Sequence, residues 1–216
     1  YWDNAIAYDG RVPSWHHRLR QHGRHVVSIG KLHYVDEKAP TGFDEQLIPM
    51  HIECGVGDLY GLLREPLPVR YQSRDLARRI GPGRTTYIDY DRRITELTVD
   101  WLGNKARQRR DKPWVLLCSY IAPHSPLVAP PEFYAMYPTE RVPLPKKRPA
   151  GFSHPWWDAF NRCYIFDESF ADDEQRRIAI ASYFGLCSFV DHNVGRVLHA
   201  LESAGLAGET RVLFVG

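Results

Sequence analysis

The sequence predicts an α/β fold with a mostly parallel central sheet and helices on both faces, and three observations predict it. Short, largely apolar runs read as strands covered on both sides: Val26-Val27-Ser28-Ile29, residues 114–120 and residues 212–215. Segments with helical periodicity lie between these runs, so helices and strands alternate. The residues best suited to chemistry stand just past strand ends, where open α/β sheets bind ligands.

Residues 13–23 read as a short helix capped by Ser14, with Trp15, Leu19 and His22 on the inner face. Gly23 ends it and residues 24–29 form the first strand. Residues 36–90 are rich in Pro, Gly and charge and are expected to be long loops with short elements, Thr41-Gly42-Phe43-Asp44 being a turn. Inside them, Gly55, Gly57 and Gly61 have the wrong spacing for a dinucleotide fingerprint. Pro49, Pro66 and Pro68 also spoil its flanking strand and helix, so this too is a loop.

Residues 91–107 form an amphipathic helix, with Ile94, Leu97, Thr98, Trp101 and Leu102 at helical spacing. Asp111-Lys112-Pro113 breaks it before the strand at 114–120. The proline-rich stretch 123–155 excludes regular helix and central strand, and is expected to wrap the surface and shape a pocket rim. Trp156 and Trp157 follow and are read as buried anchors, a pocket for an organic or quaternary-ammonium group being the other reading. Residues 172–204 are the clearest helix. Ile180, Phe184, Cys187, Val194, Leu198 and Leu201 make its apolar stripe, and Gly205 stops it. Residues 212–215 form the last strand.

The 216 residues carry a net charge of +2, so no strong pull toward nucleic acid or an anionic membrane is expected. No apolar run approaches the ~20 residues that cross a bilayer. Four scattered cysteines without a C-x-x-C pair suggest free thiols in a reducing, cytoplasmic compartment. His16, His17, His22 and His25 cluster in sequence without a carboxylate or Cys at ligand spacing, so no metal is expected there. Both ends look cut from something longer, so residues 1–216 are expected to be the middle portion of a single catalytic domain, with the sheet incomplete at both ends.

Two segments carry the chemistry. Gly30-Lys31-Leu32-His33 follows the first strand, and Pro123-His124-Ser125-Pro126 follows the strand at 114–120. In an extended segment Lys31 and His33 point the same way. One neutralises an anionic oxygen while the other moves a proton. The prolines flanking His124 limit where its imidazole can go. Each segment alone is an ordinary turn; together they make a cationic, proton-transferring pocket suited to an anionic ester.

Order and context make the pattern more specific. LRQHGRHVVSIGKLH (19–33), SYIAPHSPLVAPP (119–131) and YFGLCSFVDHNVGRVLHALESAGLAGET (183–210) together resemble the sulfatases, within the alkaline-phosphatase-like superfamily. Gly30-Lys31-Leu32-His33-Tyr34 followed by Thr41-Gly42-Phe43-Asp44 is similar to the choline-sulfatase-like and phosphonate-monoester-hydrolase-like branches. The resemblance implies that Lys31 contacts the sulfate and the nucleophile. It implies that His33 hydrogen-bonds the nucleophile and helps collapse a covalent intermediate. It implies that His124 binds a sulfate oxygen and supports the leaving group. It further implies a formylglycine nucleophile and one divalent cation, Ca²⁺ foremost, with Mn²⁺ or Mg²⁺ as alternatives.

None of the four cysteines lies in a C/S-x-P-x-R motif and no Asp-Asp pair stands upstream of Lys31, so the nucleophile and the metal ligands are expected outside the sequence, and the segment alone is expected to be inactive. The expected function is sulfuric ester hydrolysis of a small-molecule sulfate monoester. A phosphonate monoester or phosphodiester hydrolase, or a non-catalytic binding relative, are the alternatives. Neither nucleic acid nor a membrane is an expected partner, and homo-oligomerisation is left open.

Overall fold

A computed structural model describes residues 7–52, 68–106, 108, 112–146 and 148–216. The chain begins with helix α1 (Trp15–Gln21) and strand β1 (His25–Lys31). Strands β2 (Glu45–Met50) and β3 (Ile80–Pro82) follow, then helix α2 (Thr86–Trp101). Strands β4 (Trp114–Ser119) and β5 (Leu127–Ala129) precede helices α3 (Pro131–Tyr134), α4 (Pro155–Cys163) and α5 (Asp173–Ser203).

The main sheet has the order β2-β1-β4 and every pairing in it is parallel. Its centre is the apolar run of β1, whose side chains alternate between two cores. Val27 and Ile29 face α2 and the last turns of α5, meeting Ile94, Trp101, Leu102 and Leu201. Val26 packs on the other face with Leu32, Phe43 and Leu19 of α1. Helices therefore cover both faces, as the apolar strands require. A second, two-stranded parallel sheet of β3 and β5 packs against α5.

Gly30 shows how tightly β1 and β4 approach. It sits opposite Ser119 with φ 106°, and a Cβ there would lie 2.2 Å from the Ser119 carbonyl oxygen and 2.7 Å from Ile94 Cδ1. Only glycine fits both the backbone and the space.

Several expectations need correcting. Residues 36–90 contain a full sheet strand, β2, which Pro49 and weak alternation concealed; the register shifts between Ile29 and Lys31, and Ile48 takes φ 42° there. The glycines at 55, 57 and 61 lie outside the described residues. Residues 212–215 do not form a strand: Val212, Leu213, Phe214 and Val215 are exposed, and no described strand pairs with them. An apolar run becomes a strand only where a neighbour takes its backbone hydrogen bonds. The proline-rich stretch does hold the short strand β5, at the edge of the small sheet.

The buried faces of two helices also differ. In α1 the inward residue is His16, while Trp15 and His22 are exposed. In α5 the buried face runs through Ser182, Gly185, Leu186, Phe189 and Asn193 instead of the expected apolar stripe, of which Leu201 alone is fully buried. Gly185 explains the rotation: a Cβ on it would lie 2.9 Å from Ala129 Cβ and 3.2 Å from the Tyr134 backbone, so β5 and α3 press against its bare side. Close packing selected small residues that hydropathy does not register. Trp156 and Trp157 are not buried anchors, because α4 stacks its rings on one another.

Candidate active site at the strand ends

Lys31 is the last residue of β1, and the chain turns sharply beyond it. His33 has φ 60°, a left-handed conformation uncommon outside glycine that costs about 1–2 kcal/mol. Backbone N–H groups of Leu32 and His33 both donate to the Met50 carbonyl, at 3.1 and 2.9 Å. These bonds to β2 offset the strain and hold the turn. Lys31 and His33 are thus brought together by a strained corner and not by the strand alternation expected from sequence. Non-glycine residues in such conformations concentrate at functional sites.

His124 stands in the loop after β4, the adjacent strand. Its Nδ1 lies 2.7 Å from the Ser125 carbonyl oxygen. A carbonyl can only accept, so Nδ1 carries the hydrogen and donates, leaving Nε2 to exchange a proton with a ligand. The Tyr87 ring, near the start of α2, meets the imidazole edge-on at 6.5 Å between centroids.

The loop is anchored by a residue that sequence reasoning missed. Asp91, fully buried on α2, accepts from the backbone N–H groups of Ile121 and Ala122, both at 2.9 Å. Burial pushes its carboxyl up, against those two bonds and the nearby positive charge of Lys31, with burial prevailing. One signal was available: Asp91 shares the helical face of Ile94, Thr95 and Thr98, so an acid stood on a stripe that faces the core. Thr95 extends the anchor by pairing its hydroxyl with Tyr120 at 3.0 Å.

The three basic groups are electrostatically coupled. Desolvation lowers the His33 pKa below its ordinary value, and the positive charges of Lys31 and His124 lower it further. His33 is therefore the neutral, proton-accepting member of a cationic group. Both histidines are exposed and Lys31 is half-buried, so the group is open to a ligand. An anionic ester would find charge neutralisation and a base within one corner.

Among the described residues, no group of three or more His, Cys, Asp or Glu side chains could hold a metal ion. Lys31, His33 and His124 include no carboxylate, and a cation would be repelled there. These residues do not fit a divalent cation. The other early histidines are structural: His25 Nε2 lies 2.8 Å from Glu45, and His16 stacks on Phe43 at 4.4 Å.

The model of the sulfatase family matches residues 64–216. The chain belongs to the sulfatase family. The choline-sulfatase of Rhizobium meliloti (strain 1021) is 24% identical over 221 residues, covering 99% of this chain and 43% of that protein. Among solved structures, the phosphonate monoester hydrolase of Agrobacterium radiobacter aligns with TM-score 0.58 and 19% identity over 94% of this chain and 46% of its own. A protein solved with its substrate D-glucosamine-2-N,6-O-disulfate aligns with TM-score 0.50 and 18% identity, over 95% of this chain and 49% of its own. These structures share the fold. The sulfatase-family chain spans less than half the length of the relatives it matches.

Proposed function

We propose that this chain is part of the catalytic domain of a sulfuric ester hydrolase, with Lys31, His33 and His124 forming its anion site. The observation that carries the reading is that the adjacent parallel strands β1 and β4 deliver Lys31, His33 and His124 to one end of the sheet, where the three interact and His33 takes up a proton less readily than an ordinary histidine. As a sulfate ester cleaves, negative charge grows on the nonbridging oxygens and on the leaving oxygen. Lys31 stabilises the former. His33 accepts a proton from the attacking group, and His124 Nε2 meets the leaving oxygen. The nucleophile, a formylglycine, and the divalent cation, Ca²⁺ before Mn²⁺ or Mg²⁺, come from residues beyond this chain in the reading.

A family relative named choline-sulfatase and a fold neighbour solved with a sulfated glucosamine support sulfate as the group cleaved. A phosphonate monoester or phosphodiester is the second reading, favoured by the phosphonate monoester hydrolase fold neighbour. Free thiols at Cys118, Cys163 and Cys187 support a reducing, cytoplasmic location. Among the described residues no helix is long and apolar enough to cross a membrane.

The test is hydrolysis by the full-length protein of an aryl sulfate, an aryl phosphonate and a phosphodiester, each at saturating Ca²⁺ and Mn²⁺. The reading requires sulfate to be preferred and Lys31→Ala to lower turnover by about 10²-fold or more with the fold intact. Preference for phosphorus esters establishes the second reading. Unaltered turnover in Lys31→Ala removes Lys31 from the site.

A further inference from the structure

Exposed aromatic rings mark a second site, which shares no residue with the Lys31, His33 and His124 group. Trp156 and Trp157 are 56% and 43% exposed, and Phe152 is 49% exposed. They line an open cavity of about 500 Å³ with Lys146, Arg148 and His154 at its rim. Contiguous apolar surface of this kind on a protein usually has a partner.

The platform is built and not merely uncovered. Phe160 stacks beneath both indoles, at 5.4 Å from Trp156 and 5.9 Å from Trp157. Tyr164 stacks on Phe160 in turn at 4.9 Å, which orients the rings from below. Asp158 ties the loop to the helix, accepting from Arg148 and the Ser153 hydroxyl at 2.7 Å each and from the His154 backbone N–H at 3.2 Å. Arg148 also lies over the Phe152 ring at 5.7 Å.

Charge selects the occupant. A quaternary ammonium would suit bare indole faces. Among the described residues, the acid engaged with the rim, Asp158, is paired with Arg148, and Lys146 has no carboxylate partner. A cation would be repelled and an anion attracted. Aromatic faces carry partial negative charge and meet the weakly positive C–H face of a ring. We propose that Phe152, Trp156 and Trp157 bind a sulfated saccharide, the C–H face of one sugar ring lying on the indoles and its sulfate meeting Lys146. The site holds the ligand and cleaves nothing.

The experiment is a tryptophan-fluorescence titration of the full-length protein carrying Lys31→Ala, so that binding is read apart from turnover. The probes are a sulfated glucosamine disaccharide, its unsulfated counterpart and tetramethylammonium. The proposal expects saturable quenching by the sulfated probe and about tenfold weaker binding after Trp156→Ala. Lys146→Ala, at a position outside the stack and so neutral for folding, should erase the preference for sulfate and flatten the salt dependence. Preference for tetramethylammonium, absence of saturable quenching, or sulfate preference unchanged by Lys146→Ala overturns it. These results are independent of which ester, if any, the catalytic group cleaves.

Discussion

His33 does most to define the candidate site, and its neutrality has a cause that can be removed. Desolvation and the charges of Lys31 and His124 together depress its pKa. Lys31→Met deletes one of those charges at nearly constant volume, so the His33 titration should move upward, toward the ordinary histidine value. NMR observation of the imidazole reads this directly, and an unmoved titration would show that Lys31 does not act on His33. At the same scale, the sequence displayed all three basic residues and their neighbourhood to strand ends. It could not display the left-handed backbone at His33, because that conformation is set by two N–H groups reaching a carbonyl of β2, a strand itself hidden in a proline-rich tract.

At the scale of elements, α2 acts as the brace of the site. Thr85 caps it, its hydroxyl accepting from the Ile88 N–H at 3.2 Å, and one turn later Asp91 holds the loop that leads to His124. Asp91→Ala leaves two backbone donors without their acceptor, one of them buried. The expected loss is about 3 kcal/mol in denaturant unfolding, with turnover falling further because His124 is no longer positioned. Asp91→Asn keeps one acceptor oxygen and should recover part of the stability; an Asp91→Ala variant as stable as the native protein would show that Asp91 does not anchor the loop. The helix itself was legible from Ile94, Thr98 and Trp101, but its start lay five residues earlier than the apolar stripe indicated. A stripe reports where a helix is buried, whereas a cap reports where it begins. The same limitation rotated the reading of α5, whose buried face is made by Ser182, Gly185 and Asn193 as much as by Leu186 and Phe189.

Across the whole molecule, stability should depend on acidity through the second core. Burial lowers the His16 pKa from 6.5 to about 4, and the charge of His17 adds to the shift. The unfolded chain therefore binds a proton between these values that the folded protein refuses. Stability is full above pH 6.5 and declines as pH falls toward 4, by about 3 kcal/mol in total. Thermal melts across this range should show the slope, and His16→Phe should flatten it; an equally steep decline in the variant would place the titrating group elsewhere.

The sequence by itself determined the class of the fold, the central strand, the long helix and the three basic residues. Each of these is written in local pattern: apolar runs, helical period and residue type beside a strand end. Only the tertiary structure decided that Glu45–Met50 is a sheet strand, that residues 212–215 are not, that Asp91 holds the loop before His124, and that Trp156 and Trp157 face outward. Each of those outcomes depends on which distant segment supplies a hydrogen bond or a covering surface. Pairing between remote parts of a chain leaves no periodicity in the sequence to read.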